Sequence, residues 1–163
     1  MSDPASSGRG LMADAPTGVR SSVHIFGHPV HPILIPFPIA FLVAAAASDI
    51  AFVASSDVFW SRASFWLLAV GFISGLVAAI PGLIDFVIIE RVRRYVGGWV
   101  HLIGNIAALA VASANWLLRV DRTADFVEPW GLVMSLVTAG LLAVTGWTGG
   151  ELAYRHQIGV TGH

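Results

Sequence analysis

The sequence predicts an all-α integral membrane protein, a four-helix bundle in up-down-up-down order that follows a disordered N-terminal tail. Apolar residues make up 56% of the 163 positions, and charged residues make up only 12%. That charged fraction is about half of what an average soluble domain carries. Mean hydropathy is +0.76. Four apolar runs are each long enough to cross a bilayer, which takes roughly 20 residues in a helix.

Composition also excludes several classes of function. A net charge of -1 argues against a nucleic-acid partner, which would require a basic face. The chain has no cysteine, so disulfides, cysteine-ligated iron–sulfur clusters and covalent haem attachment through CxxCH are excluded. No GxSxG motif is present, and a hydrolase of the soluble type is therefore the poorest interpretation. No hydrolase or transferase motif is present, and a redox role is the one catalytic option that we expect.

Residues 1–22 are rich in Ser, Gly, Pro and Ala, a composition typical of a disordered tail. Residues 23–160 then form the predicted four-span domain. Its spans are predicted at 33–54, 63–89, 99–118 and 127–149. The connections between them are short, which favours antiparallel neighbours and an up-down-up-down bundle. All six tryptophans lie near a predicted boundary, where aromatic side chains anchor membrane helices.

The arginines predict the orientation, because the chain has no lysine. Cytoplasmic loops of membrane proteins are enriched in basic residues. Six arginines lie on the side of the tail, the second loop and the C-terminal end, and three lie on the opposite side. We therefore expect a protein of the inner (plasma) membrane with both termini in the cytoplasm. The first group is Arg9, Arg20, Arg91, Arg93, Arg94 and Arg155, and the second is Arg62, Arg119 and Arg122.

Small and polar residues recur at helical spacing on one face of three spans. Small residues let helices approach closely in lipid, so these faces are expected to form the core, with leucines and phenylalanines facing lipid. The second span has the stripe Gly71, Gly75, Ala78, Gly82 and Asp85. The third has His101, Asn105, Ala108, Ala112 and Asn115. The fourth has a looser stripe, Gly131, Ser135, Thr138, Thr145 and Gly149, which Leu142 interrupts.

Polar residues are predicted to gather at one end of the bundle. Ionisable groups inside a membrane are costly and usually functional. We expect His31, Asp85 and His101 to share a pocket, with Asp85 and Asn105 accepting hydrogen bonds from the second ring nitrogens of the histidines. The whole set is His28, His31, Asp85, His101, Asn105, Glu151, Arg155 and His156. At the other end, Asp49 and Asn115 are predicted to form a thinner layer joined by a structural hydrogen bond.

Several motifs resemble a bacterial membrane family, the domain of unknown function 2231. They are His28-Pro29-Val30-His31-Pro32, Phe37-Pro38-Ile39-Ala40, Gly82-Leu83-Ile84-Asp85, His101 with Asn105, and the segment from Gly146 to Val160 that contains Gly-Gly-Glu-Leu-Ala-Tyr-Arg-His. The resemblance covers residues 24 to 160. It implies a four-span membrane protein. Some members are fused to Rieske-type iron–sulfur domains, which implies that the family is associated with redox proteins. It implies no catalytic residues.

Three interpretations of the polar residues compete. In the first, one b-type haem binds between His31 and His101 for membrane electron transfer, with His28, Asp85 and Asn105 nearby. In the second, a transition-metal ion binds to imidazole and carboxylate ligands. Its candidate ligands are His28, His31, Asp85, His101, Glu151 and His156. In the third, there is no cofactor, and the polar network stabilises an accessory or scaffold subunit. The expected partners are the lipid bilayer and a membrane or redox protein.

Overall fold

The computed structural model describes residues 18–160 and contains four helical segments that are long and apolar enough to cross a membrane. These segments are Val30–Ser55, Val58–Ile88, Val96–Leu118 and Val127–Arg155. The predicted all-α membrane class is thereby confirmed. Residues 1–17 of the predicted tail lie outside the described residues. The up-down-up-down order stays a prediction from the short connections.

The elements follow one another closely along the chain. A short hairpin leads directly into the first span. Its two strands have two residues each, β1 (His24–Ile25) and β2 (His28–Pro29). The helices are α1 (Val30–Leu34), α2 (Pro36–Ser55), α3 (Val58–Ile88), α4 (Glu90–Arg93), α5 (Val96–Leu118) and α6 (Leu132–Gly150). The segment Val127–Gly131, which is kinked at Glu128 (φ -108°, ψ 125°), precedes α6, and a π-helical turn, Glu151–Arg155, follows it.

The second span begins five residues earlier than the sequence predicts. Ser56 ends α2 in the left-handed conformation, with a φ of 57°. Asp57 then caps α3 by accepting a hydrogen bond from the backbone N–H of Phe59 at 2.9 Å. Because a side-chain cap satisfies one of the free N–H groups of the first turn, the helix can start here. The predicted loop 55–62 is reduced to two residues.

The helices pack so that α2 and α5 contact the same two neighbours, α3 and α6. Spans one and three therefore face each other across the bundle. The small residues of the predicted stripes do face the core, but not all leucines face lipid. Leu42, Leu68 and Leu142 fill the middle of the bundle, because the glycines and alanines beside them leave room for large side chains. The buried cluster comprises Leu42, Ala45, Leu68, Ala108, Ala112 and Leu142.

Segments from both ends of the described chain close the end of the bundle that carries His31 and His101, here named the histidine end. The N–H of Val19 donates to Gln157 O at 2.8 Å, and the N–H of Gly159 donates to Val19 O at 2.8 Å. Ser21 is buried, with 3% of its surface exposed. Val19 and Ser21, just before the predicted boundary at residue 23, thus pack against this end of the bundle. An apolar cluster beneath these segments comprises Phe86, Ile89, Val92, Leu152 and Ile158.

The connection between α3 and α5 is ordered by its own side chains. Arg93 Nη1 donates to Phe86 O at 2.7 Å and also to Val87 O, so it satisfies carbonyls at the end of α3. Arg94 donates to Glu90 at 2.9 Å, and both side chains are largely exposed. The hydrogen bond and the charge of Arg94 lower the pKa of Glu90.

Candidate functional site

His31 and His101 meet inside the bundle at the histidine end. His31 lies in α1, in the first part of span one, and His101 lies near the start of α5, so the two residues come from the spans that face each other. Their ring centroids are 6.1 Å apart, and the ring planes are nearly perpendicular at 87°. Both residues are half-buried. The two imidazoles therefore share one site instead of facing lipid on separate sides.

Each imidazole is held by a backbone carbonyl of a neighbouring helix. His31 Nδ1 donates to Ala78 O in α3, and His101 Nδ1 donates to Thr145 O in α6, both at 2.8 Å. A carbonyl oxygen can only accept, so Nδ1 must carry the proton in both rings. In a neutral imidazole this leaves the Nε2 lone pair available. Metal-ligating histidines usually have their second nitrogen fixed in this way.

Two glycines make room for the rings. A Cβ atom on Gly82 would lie 2.8 Å from His31 Nδ1 and Cε1. A Cβ atom on Gly149 would lie 2.7 Å from His101 Cε1 and 2.8 Å from its Nδ1. Such distances are closer than van der Waals contact allows, so a larger residue at either position would displace a ring. The glycines of the predicted stripes therefore have a role in the site as well as in helix packing.

Asn105 and Thr145 brace the backbone around His101. Asn105 Nδ2 donates to His101 O at 2.7 Å, and Thr145 Oγ1 donates to Asn105 Oδ1 at 3.2 Å. Thr145 O in turn accepts the bond from the His101 ring. These contacts join α5 to α6 at the depth of the ring. Asn105 thus acts on the backbone of His101, whereas the sequence led us to expect it to bond the ring nitrogen.

Asp85 does not orient a histidine, contrary to the expectation from its place on the stripe. Its carboxylate accepts from Ser21 Oγ at 2.7 Å and from the N–H of Ser22 at 2.6 Å. The segment before the hairpin contacts α3 through these two hydrogen bonds, and each carboxylate oxygen accepts one of them. Asp85 therefore holds this segment against α3.

The remaining predicted residues lie outside the histidine pair. His28 is exposed, and its Nδ1 donates to Phe26 O at 3.1 Å. The ring of His156 stacks on Tyr95, with centroids 4.1 Å apart. Glu151 forms an ion pair of 3.5 Å with Arg155 near the surface. Within residues 18–160, no three His, Asp or Glu side chains come together as a group that could hold a metal ion.

A second polar cluster fills the opposite end of the bundle, here named the Arg119 end. Arg119 and Asp49 are fully buried and form a two-pronged ion pair, with Nη1–Oδ1 at 2.8 Å and Nη2–Oδ2 at 2.7 Å. Arg119 Nε donates to Asn115 Oδ1 at 2.9 Å, and Nη1 also donates to Ser64 Oγ at 3.0 Å. Ser135 Oγ donates to Asp49 Oδ2 at 2.6 Å. The cluster joins all four spans.

The sequence interpretation missed Arg119 by assigning it to a loop. The sequence led us to expect a direct hydrogen bond between Asp49 and Asn115. In the structure Arg119 and Ser135 each bridge the two residues, and Ser135 Oγ accepts from Asn115 Nδ2 at 2.9 Å. One signal was available: Arg119 follows Asn115 by four residues and so continues the inward stripe of α5. Gly131 accommodates the guanidinium, because a Cβ atom there would lie 2.6 Å from Arg119 Nη2.

The fold and the site together define a four-span helical membrane protein with a pair of inward-facing histidines at one end and a buried ion-pair cluster at the other. The family model described as predicted membrane protein, domain of unknown function 2231, matches residues 27–162. The chain belongs to this family. Neither the curated proteins nor the solved structures give a significant match to the chain.

Proposed function

We propose that the protein binds one b-type haem between His31 and His101 and transfers electrons at the membrane. The observation that carries the proposal is the arrangement of the two imidazoles. They come from facing helices, their centroids are 6.1 Å apart, and each has its Nδ1 proton bonded to a backbone carbonyl. Both Nε2 lone pairs are thereby left for a metal, and helix-bundle cores commonly hold cofactors.

The number of available ligands favours haem over a bare metal ion. A structural or catalytic zinc ion takes three or four protein ligands. In the described part of the chain only the two histidines come together, and Asp85 is bonded to Ser21 and Ser22. A haem would need at most two ligands from the protein, because the porphyrin nitrogens already hold the iron. Two histidines therefore suit a haem and fall short for an ion.

The ring spacing leaves the two imidazoles close enough to share one metal atom. Metal–imidazole bonds are about 2.0–2.1 Å long, and the two ring centroids are 6.1 Å apart.

A bound haem would supply a one-electron redox couple, and the residues of this chain determine how it is held. His31 and His101 would hold its iron through their Nε2 atoms. Ala78 O and Thr145 O fix their tautomers and make the imidazoles better electron donors. Gly82 and Gly149 leave space for the two rings, because a side chain at either position would collide with an imidazole.

The visible spectrum of the detergent-purified protein tests the proposal. The protein is expressed with a haem precursor, and the oxidised and dithionite-reduced spectra are recorded. We expect a Soret band with reduced alpha and beta bands, and loss of haem in His31→Ala and in His101→Ala. His28→Ala and His156→Ala are matched controls that should keep the spectrum, because both rings lie outside the pair.

Helical content by circular dichroism and elution volume show whether each variant folds. A colourless parent that also fails to bind added haemin would overturn the proposal. So would a folded double variant, His31→Ala with His101→Ala, that retains the parent spectrum. Either result would favour the scaffold function, which the Arg119 end supports independently by joining all four spans.

A further inference from the structure

The hairpin before the first span presents an apolar tip. His24 pairs with Pro29 and Ile25 with His28, so Phe26 and Gly27 form the turn. Phe26 is 98% exposed, the highest value among the exposed large hydrophobic residues, and Ile25 is 59% exposed. Neither residue belongs to the two buried apolar clusters of the described bundle.

Phe26 also has an unfavourable backbone conformation. Its φ is 48° and that of Gly27 is 82°, the two positive values that a tight hairpin turn requires. Asn or Asp is the usual residue at the first of these positions, and a bulky side chain is rare there. Backbone strain at an exposed position is a pointer to function. Because 98% of the surface of Phe26 is exposed, the ring is available to contact something outside residues 18–160.

The fold holds the hairpin in position. His28 Nδ1 donates to Phe26 O at 3.1 Å across the turn, and the N–H of Val30 donates to Val23 O at 3.0 Å at its base. Ser21 and Ser22 attach the preceding segment to α3 through Asp85. The tip is therefore presented by an anchored element with a defined direction.

We propose that this tip inserts into the headgroup region of the same bilayer that the four helices cross. Phe26 lies four residues before the first span, a reach of at most about 14 Å. The headgroup layer extends about 5–8 Å beyond the hydrocarbon on each side. Because the chain folds back on itself in the hairpin, its actual reach is shorter than this limit, and the headgroup layer lies within reach of the tip. Ile33 and Phe37, in the part of the first span next to the hairpin, are both more than half exposed and add further apolar surface at this end.

The polar surroundings of the tip suit anionic headgroups. The guanidinium of Arg20 lies beside the turn, since a Cβ atom on Gly27 would be 3.8 Å from Arg20 Nη2. His24 and His28 are exposed on the two strands. An apolar tip bordered by basic groups is the pattern of interfacial membrane anchors. The proposal does not depend on haem binding.

Depth measurement in vesicles tests this insertion. The chain has no cysteine, so Phe26→Cys gives one attachment point for a nitroxide spin label. The labelled protein is reconstituted into vesicles of phosphatidylethanolamine and phosphatidylglycerol. Collision rates with oxygen, which concentrates in lipid, and with a water-soluble nickel chelate are then compared. Labels at Asp125, in an exposed loop, and at Val137, on the exposed face of α6, provide the aqueous and lipid references.

We expect the label at position 26 to show an oxygen-to-nickel ratio several-fold above that at position 125. A label at Ile25→Cys should show the same preference, and adding Phe26→Asn should reduce it, because asparagine suits the turn but lacks the apolar ring. A nickel accessibility at position 26 equal to that at 125 would overturn the proposal and favour a soluble protein partner. An unchanged ratio at position 25 after Phe26→Asn would also overturn it.

Discussion

Replacement of Arg119 by Met should strongly destabilise the protein. Methionine keeps much of the length of the side chain but removes the charge and all the N–H donors. Asp49, fully buried, would lose both contacts to the guanidinium and keep only the hydroxyl of Ser135. Ser64 and Asn115 would each lose a donor as well.

The magnitude follows from the buried charge. Removing one partner of a buried ion pair typically costs about 3–5 kcal/mol, because the other charge is left without compensation. Removing both charges together is much milder. In the double variant Asp49→Leu with Arg119→Met, the main remaining loss is the donor to Asn115 Oδ1, worth about 1–3 kcal/mol. The double variant should therefore be more stable than Arg119→Met alone.

The free energy of unfolding of each variant is measured in mixed micelles. The fraction of sodium dodecyl sulfate is raised, and the loss of helix is followed by circular dichroism. The parent, both single variants and the double variant complete a mutant cycle. Arg122→Met is the matched control. Its guanidinium is exposed, 5.7 Å above the ring of Phe126, and such a contact is worth at most about 1 kcal/mol.

If Arg119→Met lowered the free energy of unfolding no more than Arg122→Met does, the buried ion pair would not stabilise the fold as expected. The same would follow if the loss in the double variant equalled the sum of the losses in the two single variants. Additive costs would mean that Asp49 and Arg119 contribute independently and that the two-pronged ion pair carries no coupling energy.

Three further predictions follow from the glycines and the arginines. Gly149→Ala should displace the His101 ring and weaken haem binding. Gly146→Ala is the control, because nothing lies within 4 Å of its Cβ position. A haem titration of both variants measures the difference. Gly75→Leu should force α3 from α5 and lower the melting temperature in detergent, because even a Cβ atom would lie 2.5 Å from Leu109 Cδ2. Gly140→Leu, with open space, is its control, and equal melting temperatures would contradict the packing assignment. Reporter fusions at the C-terminus and in the loop 90–98 should both report cytoplasm, and periplasmic activity at either would overturn the orientation.

Four apolar runs and the helical spacing of small residues were enough to predict the membrane class and the inward faces of three helices. Both features are local: the period of 3.6 residues places positions on a face whatever the partner helix is. The depth of His31 and His101 could also be derived, because each lies near the start of its span. The approach of their rings depends on which helices face each other, and the sequence pattern does not specify that.

The partners of the polar groups could not be predicted from the sequence, because they depend on tertiary packing. Asp85 is bonded to a segment that precedes it by 63 and 64 residues, and Arg119 to an aspartate 70 residues away. Such contacts are set by helix packing and by the path of the chain over the end of the bundle, neither of which is encoded in local spacing. Arg119 shows the reason most clearly. An arginine next to a loop is ordinarily solvated, and it is buried here because the other three spans supply a carboxylate and two hydroxyls at its depth.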